Sequence, residues 1–81
     1  MKQIGKVTHY FDKISVAVIE LSGVLKAGDT ISFQRGGEEL FQQEISSMQI
    51  DHEAVKKAKK GDDVAIKVDE KVREGVEVFK A

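Results

Sequence analysis

The residues best suited to proton transfer or metal ligation are the two histidines, His9 and His52, and the second sits in the densest group of ligating side chains, Asp51-His52-Glu53. Neighbouring side chains in an extended segment point to opposite sides, so this tripeptide does not converge on one ion, and a solvated loop rather than a metal site is expected. A hydrolase needs a nucleophile oriented by a base. Ser46-Ser47 offers hydroxyls and His9 an imidazole, yet their spacing carries no signature of such a pairing, and small residues suit a strand corner on steric grounds alone. The acidic pairs Glu38-Glu39 and Asp62-Asp63 fall at turns, where carboxylates mostly serve solubility and local hydrogen bonding. No catalytic residue, no cofactor and no metal is expected, and the chain reads as a binding module rather than an enzyme.

The strongest local charge feature is Lys56, Lys57, Lys59 and Lys60, four lysines within five positions beside Gly61. A run of this kind is usually a solvated face; as a binding surface it would contact phosphates. Tyr10-Phe11, at the first turn with Lys13 beside it, has the pattern of rings flanked by a basic residue on which single-stranded nucleic acids stack. The purely structural alternative places one ring in the core and the other at the rim. The formal net charge of −1 counts against wholesale nucleic-acid binding, so any such affinity has to come from a local patch.

Positioning these groups falls to strands. Leu25-Lys26-Ala27-Gly28-Asp29-Thr30-Ile31, Ala58-Lys59-Lys60-Gly61-Asp62-Asp63-Val64 and Val72-Arg73-Glu74-Gly75-Val76-Glu77-Val78 share one pattern: a basic residue, a glycine turn, then alternation of period 2. Gly28 and Gly61 suit the φ > 0 position of a tight turn, and the Asp that follows each can fold its carboxylate onto nearby backbone N–H groups. The expected strands run Lys2–Thr8, interrupted by a bulge or bend at Gly5; 14–21, apolar enough at Val16-Ala17-Val18-Ile19 to be covered on both faces; 30–34, with Ile31 and Phe33 inward and Thr30 and Ser32 outward; 40–51; 63–68; and 76–79. Gly36-Gly37 supplies a hairpin turn. Between Phe41/Ile45 and Met48/Ile50 the apolar parity changes, which points to a bulge or corner at Ser46-Ser47 where one strand passes between two parts of the barrel; the alternative is two separate strands. Residues 54–59 read as either a helical turn or an extended connection. Ile31, Phe33, Phe41, Ile45, Val64 and Ile66 are the expected interior. No window sustains a helical period, so the expectation is an all-β fold: a small closed antiparallel barrel of six to seven strands.

With 81 residues, 41% of them hydrophobic and 33% charged, the chain has the composition of a single globular domain, residues 1–81. The longest apolar run is far too short to cross a bilayer, no secretory signal pattern opens the sequence, and cysteine is absent; a cytoplasmic protein without membrane contact is expected. Abundant Lys and Glu with no Cys or Asn lean toward a thermophile, and the absence of Pro leans away.

Gly23-Val24-Leu25-Lys26-Ala27-Gly28-Asp29-Thr30-Ile31-Ser32-Phe33 resembles the segment that opens a strand in the second domain of translation GTPases such as elongation factor Tu and the initiation factors. Ile45-Ser46-Ser47-Met48-Gln49, Val55 to Ala58, Gly61-Asp62-Asp63-Val64-Ala65-Ile66 and Val72-Arg73-Glu74-Gly75 resemble the rest of that barrel in the same order, so the likeness runs from about Gly5 to Lys80. The chain is similar as well, and more closely, to the small C-terminal barrel of collagenase-like peptidases. Both resemblances imply the closed barrel of the translation-factor second-domain type. Neither implies nucleotide binding. No phosphate-cradling loop ending in Lys-Ser or Lys-Thr occurs, a chain without Asn has no Asn-Lys-x-Asp, and the Thr-Gly pair that helps hold aminoacyl-tRNA is replaced by Ala17-Val18. The expected function is therefore a non-enzymatic, translation-factor-like module that binds RNA or a ribonucleoprotein such as the ribosome through Lys56, Lys57, Lys59 and Lys60, with Tyr10, Phe11 and Lys13 as a stacking surface and no GTP. The alternative is a regulatory or protein-interaction barrel docked on a partner polypeptide such as a peptidase or translation factor.

Overall fold

The computed structural model describes residues 2–81, so Met1 of the expected domain lies outside the described residues. Ten strands follow one another: β1 (Lys2–Phe11), β2 (Val16–Leu21), β3 (Leu25–Lys26), β4 (Thr30–Arg35), β5 (Glu38–Glu44), β6 (Met48–Ile50), β7 (Glu53–Val55), β8 (Lys57–Ala58), β9 (Asp63–Lys67) and β10 (Glu77–Lys80). The segment after Ala54 is thus extended rather than helical.

The expected closed barrel of six to seven strands is not what forms. Eight strands make one antiparallel sheet in the order β5-β4-β10-β1-β2-β9-β6-β7, and β3 pairs only with β8 in a separate ribbon. Strands β5 and β7 are edges that never join, and the last strand, β10, lies inside the sheet between β4 and β1. A barrel requires every strand to have two neighbours. Here β7 is three residues long, and the turn backbone at residues 27–29 extends the neighbouring ladders: Gly28 N–H donates to the Ile45 carbonyl and Ile45 N–H to the Asp29 carbonyl beyond the β4–β5 pairing, and Ala27 N–H donates to the Lys56 carbonyl beyond the β3–β8 pairing.

The three glycine turns are built as their sequences indicate. Gly28 and Gly61 both have φ of 94°, the left-handed position of a type II turn. In the first, Asp29 N–H donates to the Lys26 carbonyl while Lys26 N–H donates to Asp29 Oδ2 at 2.9 Å; in the second, Asp62 and Lys59 repeat both bonds, the side-chain one at 3.0 Å. The third turn, at Gly75, has Val76 where the acid stands and keeps only the backbone bond.

Beneath the sheet lies one contiguous core that includes Ile4, Ile19, Leu25, Ile31, Phe33, Ile45, Met48, Val64, Ile66 and Val78. Ile31, Phe33, Ile45, Val64 and Ile66 are fully buried as expected, and Phe41 is half-buried, stacked on Phe33 with ring centroids 4.6 Å apart. The parity change falls between two separate strands, the alternative reading: β5 ends at Glu44, residues 45–47 leave the ladder, and β6 starts at Met48 elsewhere in the sheet, so that Ile45 and Met48 both turn inward. At Gly5 the pairing of β1 with β10 skips a residue, which is the predicted bulge, and an added Cβ there would lie 2.7 Å from Ile19 Cγ2 and 2.8 Å from the Glu20 carbonyl oxygen. Two buried polar residues stand out. Ser32 points away from the core as expected but is fully buried, donating to Glu39 Oε1 at 2.6 Å and accepting from Gln34 at 3.1 Å. Gln43 faces inward and clamps the end of β9, donating to the Lys67 carbonyl at 3.0 Å and accepting from Asp69 N–H at 2.8 Å.

Candidate functional site

The sheet buries one face and leaves part of the other open. On β2, Ala17, Ile19 and Leu21 point into the core, whereas Val16, Val18 and Glu20 point outward. Across the ladder, Val18 stands opposite Ala65 of β9, and Ala65 opposite Gln49 of β6. On the other side, Phe11 of β1 stands opposite Val16. These residues line a groove of about 480 Å³ whose walls are Phe11 and Ile14 on one side and Asp51, His52 and Asp63 on the other. Val16 and Val18 were expected to be covered on this face. Only half-burial is achieved, and Phe11 and Ile14 remain 48% and 61% exposed.

The groove's far wall is set by an unusual turn. Asp51 and His52 link β6 to β7 in a two-residue hairpin with φ of 52° and 67°, the left-handed pair of a type I′ turn that normally calls for Asn-Gly. Neither residue is glycine, and non-glycine residues held in this region cost of order 1–3 kcal/mol each. Asp51 tolerates it better than His52, because Asp and Asn have the short polar side chains that suit αL. The tripeptide, expected to be a solvated loop, is exposed throughout: Asp51 and His52 form the left-handed turn on the groove and Glu53 begins β7.

The lysines lie elsewhere. Lys57 sits on β8 directly across from Lys26 of β3, with Lys56, Lys59 and Lys60 exposed along the same ribbon, and none of them lines the groove. Tyr10 and Phe11 belong to β1 rather than to the turn: Tyr10 packs against the core, and Phe11 is turned out onto the groove. Lys13 follows in the turn, lining a shallower hollow with Tyr10, Phe11, Asp12 and Ile14. The structure therefore joins Phe11 to an apolar face and leaves the lysine run as a separate surface.

Nothing resembling a catalytic pair forms around the candidate nucleophiles. Ser46 and Ser47 are exposed at the corner, and no hydrogen bond joins either to a histidine among the described residues. His9 is exposed on β1, with Nδ1 2.8 Å from the Thr8 carbonyl and 3.6 Å from Glu74, and its ring meets Phe11 edge to face. Among the described residues no three His, Asp or Glu side chains are grouped to hold a metal, and no helix is long and apolar enough to cross a membrane. Two carboxyl groups titrate below their ordinary range, both outside the groove. For Asp29, burial pulls upward, but the Lys26 N–H bond and Lys80, whose Nζ is 3.2 Å away, together outweigh it. Glu39 is held down by its hydrogen bonds from Ser32 and then Gln42.

No family model matches the chain. Among solved structures, the C-terminal domain of a Geobacillus thermoleovorans protein described as a U32 peptidase superposes with a TM-score of 0.90 at 20% identity, covering 99% of this chain and 92% of that one. The selenomethionine variant of the same domain gives a TM-score of 0.89 at 19% identity, covering 96% and 98%. An uncharacterized protease of Methanocaldococcus jannaschii is 43% identical over 77 residues, 95% of this chain. The chain spans about a fifth of that relative, 19% of its length. The fold is thus that of a U32 peptidase C-terminal domain, as the peptidase resemblance implied. These comparisons lend no support to the translation-factor likeness, nor to RNA binding.

Proposed function

We propose that this chain is a protein-docking module that works with a peptidase-type polypeptide, and that the open face of β1, β2, β9 and β6 is the surface it docks with. The observation that carries this reading is the groove itself: Phe11 and Ile14 stand exposed over Val16, Val18 and Ala65, an apolar strip on the outside of a sheet whose other face already holds the core. Burial of such a strip against another polypeptide is worth roughly 25 cal/mol per Å² of apolar surface, before the cost of association. The likeness to a domain appended to longer peptidases supplies the class of partner.

The test is co-purification with the M. jannaschii relative from which the matching fifth has been removed. Wild-type chain is expected to form a complex on size-exclusion chromatography, and the Phe11→Ser, Ile14→Ser double variant to elute alone with an unchanged unfolding midpoint. A complex that survives the double variant refutes the assignment of the surface.

A further inference from the structure

The groove carries charge on one wall only, and that asymmetry says what kind of segment it takes. We propose that it receives an extended polypeptide segment whose apolar side chains lie on Val16, Val18 and Ala65 and whose Lys or Arg side chain sits against Asp63 and Asp51. This rests on the docking reading above and adds the chemistry of the partner.

Glu20 of β2 is directly opposite Asp63 of β9, a like-charge pair of the kind that destabilises a sheet when left alone. Continued two residues beyond the Gln49–Ala65 pair, the same register brings Asp51, in the turn after β6, level with Asp63, and both line the groove. Glu20 has Lys6 across from it on β1, which leaves Asp63 and Asp51 as the carboxylates facing the groove without a cation opposite. Neither makes an ion pair within 4 Å among the described residues. The remaining ionisable side chain on the groove is His52. One rung away the floor turns apolar at Val18 and Ala65, and a further rung on, Lys67 stands opposite Val16 at the other end of the face.

An occupant complementary to this pattern is apolar in the middle and cationic at the Asp51–Asp63 end, with its acidic or neutral end toward Lys67. A nucleic acid fits poorly, because its phosphates would meet carboxylates rather than amines. An extended segment also matches the floor, whose side chains repeat every second residue along each strand and offer alternate positions to alternate side chains of a bound strand. The left-handed turn at Asp51 and His52 fixes where the first carboxylate stands.

Peptide binding by isothermal titration calorimetry tests this with three nine-residue peptides that share a Val-Leu-Val centre and carry Lys, Gln or Glu at the flanks. The Lys peptide is expected to bind about tenfold more tightly than the Gln peptide at 50 mM salt, the Glu peptide to be weakest, and the preference to shrink at 500 mM. The Asp51→Asn, Asp63→Asn double variant, which keeps a residue suited to the left-handed turn, should bind the Lys and Gln peptides alike. Equal affinities in the wild type, or a Lys preference that survives the double variant, overturn the inference while leaving the docking reading in place. Absence of any peptide binding also overturns it; the co-purification result then decides separately whether the surface docks a protein at all. Displacement of the Lys peptide by a single-stranded RNA oligonucleotide would overturn the choice of partner class.

Discussion

Two glycines in this fold are required for opposite reasons, and substituting each by Ala and by Asn separates the reasons. At Gly5 the constraint is space: φ is ordinary, but a Cβ would sit 2.7 Å from Ile19 Cγ2 and 2.8 Å from the Glu20 carbonyl oxygen. The second of these atoms is backbone, so it yields only if β2 shifts against β1. Overpacking of this sort costs about 1–3 kcal/mol for Ala, and Asn, being larger, costs more. At Gly28 the constraint is conformation: nothing lies within 4 Å of an added Cβ, but φ is +94°. There Ala costs about 1–2 kcal/mol, and Asn, which visits the left-handed region more readily, costs less. For a domain of this size with a total stability of about 4–12 kcal/mol, either substitution moves a urea midpoint measurably. The expected order of destabilisation is Asn above Ala at Gly5 and Ala above Asn at Gly28. Finding the same order at both positions would refute the distinction between crowding and backbone conformation.

Other outcomes follow from the packing and the charges. Phe33→Ala, which removes a fully buried ring stacked on Phe41, should cost about 3–5 kcal/mol by chemical denaturation. Gln43→Leu should cost about 1–3 kcal/mol or more, because the Lys67 carbonyl and the Asp69 N–H lose their partner in one step; a neutral result would mean that water replaces the clamp. The Asp29 carboxyl is depressed in the folded state, so its contribution is present above the unfolded value near 3.9 and is lost as pH falls through the lower folded value. Thermal melts should therefore lose stability below about pH 4, and Asp29→Asn should be less stable at pH 7 with a flatter acid limb. His52→Gly should raise the unfolding midpoint by the equivalent of a few tenths to 1 kcal/mol, since it relieves a left-handed non-glycine residue at some cost in chain entropy.

What the sequence discloses here is local. The Lys-x-Gly-Asp turns at Gly28 and Gly61 are legible because both the left-handed position and the carboxylate that returns to the backbone are properties of four adjacent residues. A break at Ser46-Ser47 is legible because a single regular strand cannot change its apolar parity; whether it is a corner within one strand or the gap between two is not, and the chain makes two, β5 and β6. Closure is not legible in the same way: one-sided alternation is common to barrels and to bent open sheets, and whether β5 meets β7 depends on strand lengths and on turns that take up the remaining backbone hydrogen bonds. Gln43 turns inward with the alternation despite being polar, and Ser32 is buried although it faces outward, because partners elsewhere in the chain, Lys67 and Asp69 for the first and Glu39 for the second, satisfy them. The groove had a signal in Val16-Ala17-Val18-Ile19, apolar on both parities. That run foretold two faces needing cover, and the fold covers one. Tyr10-Phe11 beside Lys13 has the pattern of a stacking surface at a turn, but β1 continues through Phe11 and delivers its ring to the apolar face.

The central claim is that the β1–β2–β9–β6 face docks a polypeptide. It is tested most directly by amide chemical-shift mapping of the isotope-labelled chain during titration with the M. jannaschii protease lacking its matching segment. Shifts concentrated at Phe11, Ile14, Val16, Val18, Gln49, Asp51 and Ala65 are expected. Shifts confined to Lys26 and Lys56–Lys60 on the β3–β8 ribbon, or no shifts at saturating partner, would contradict it.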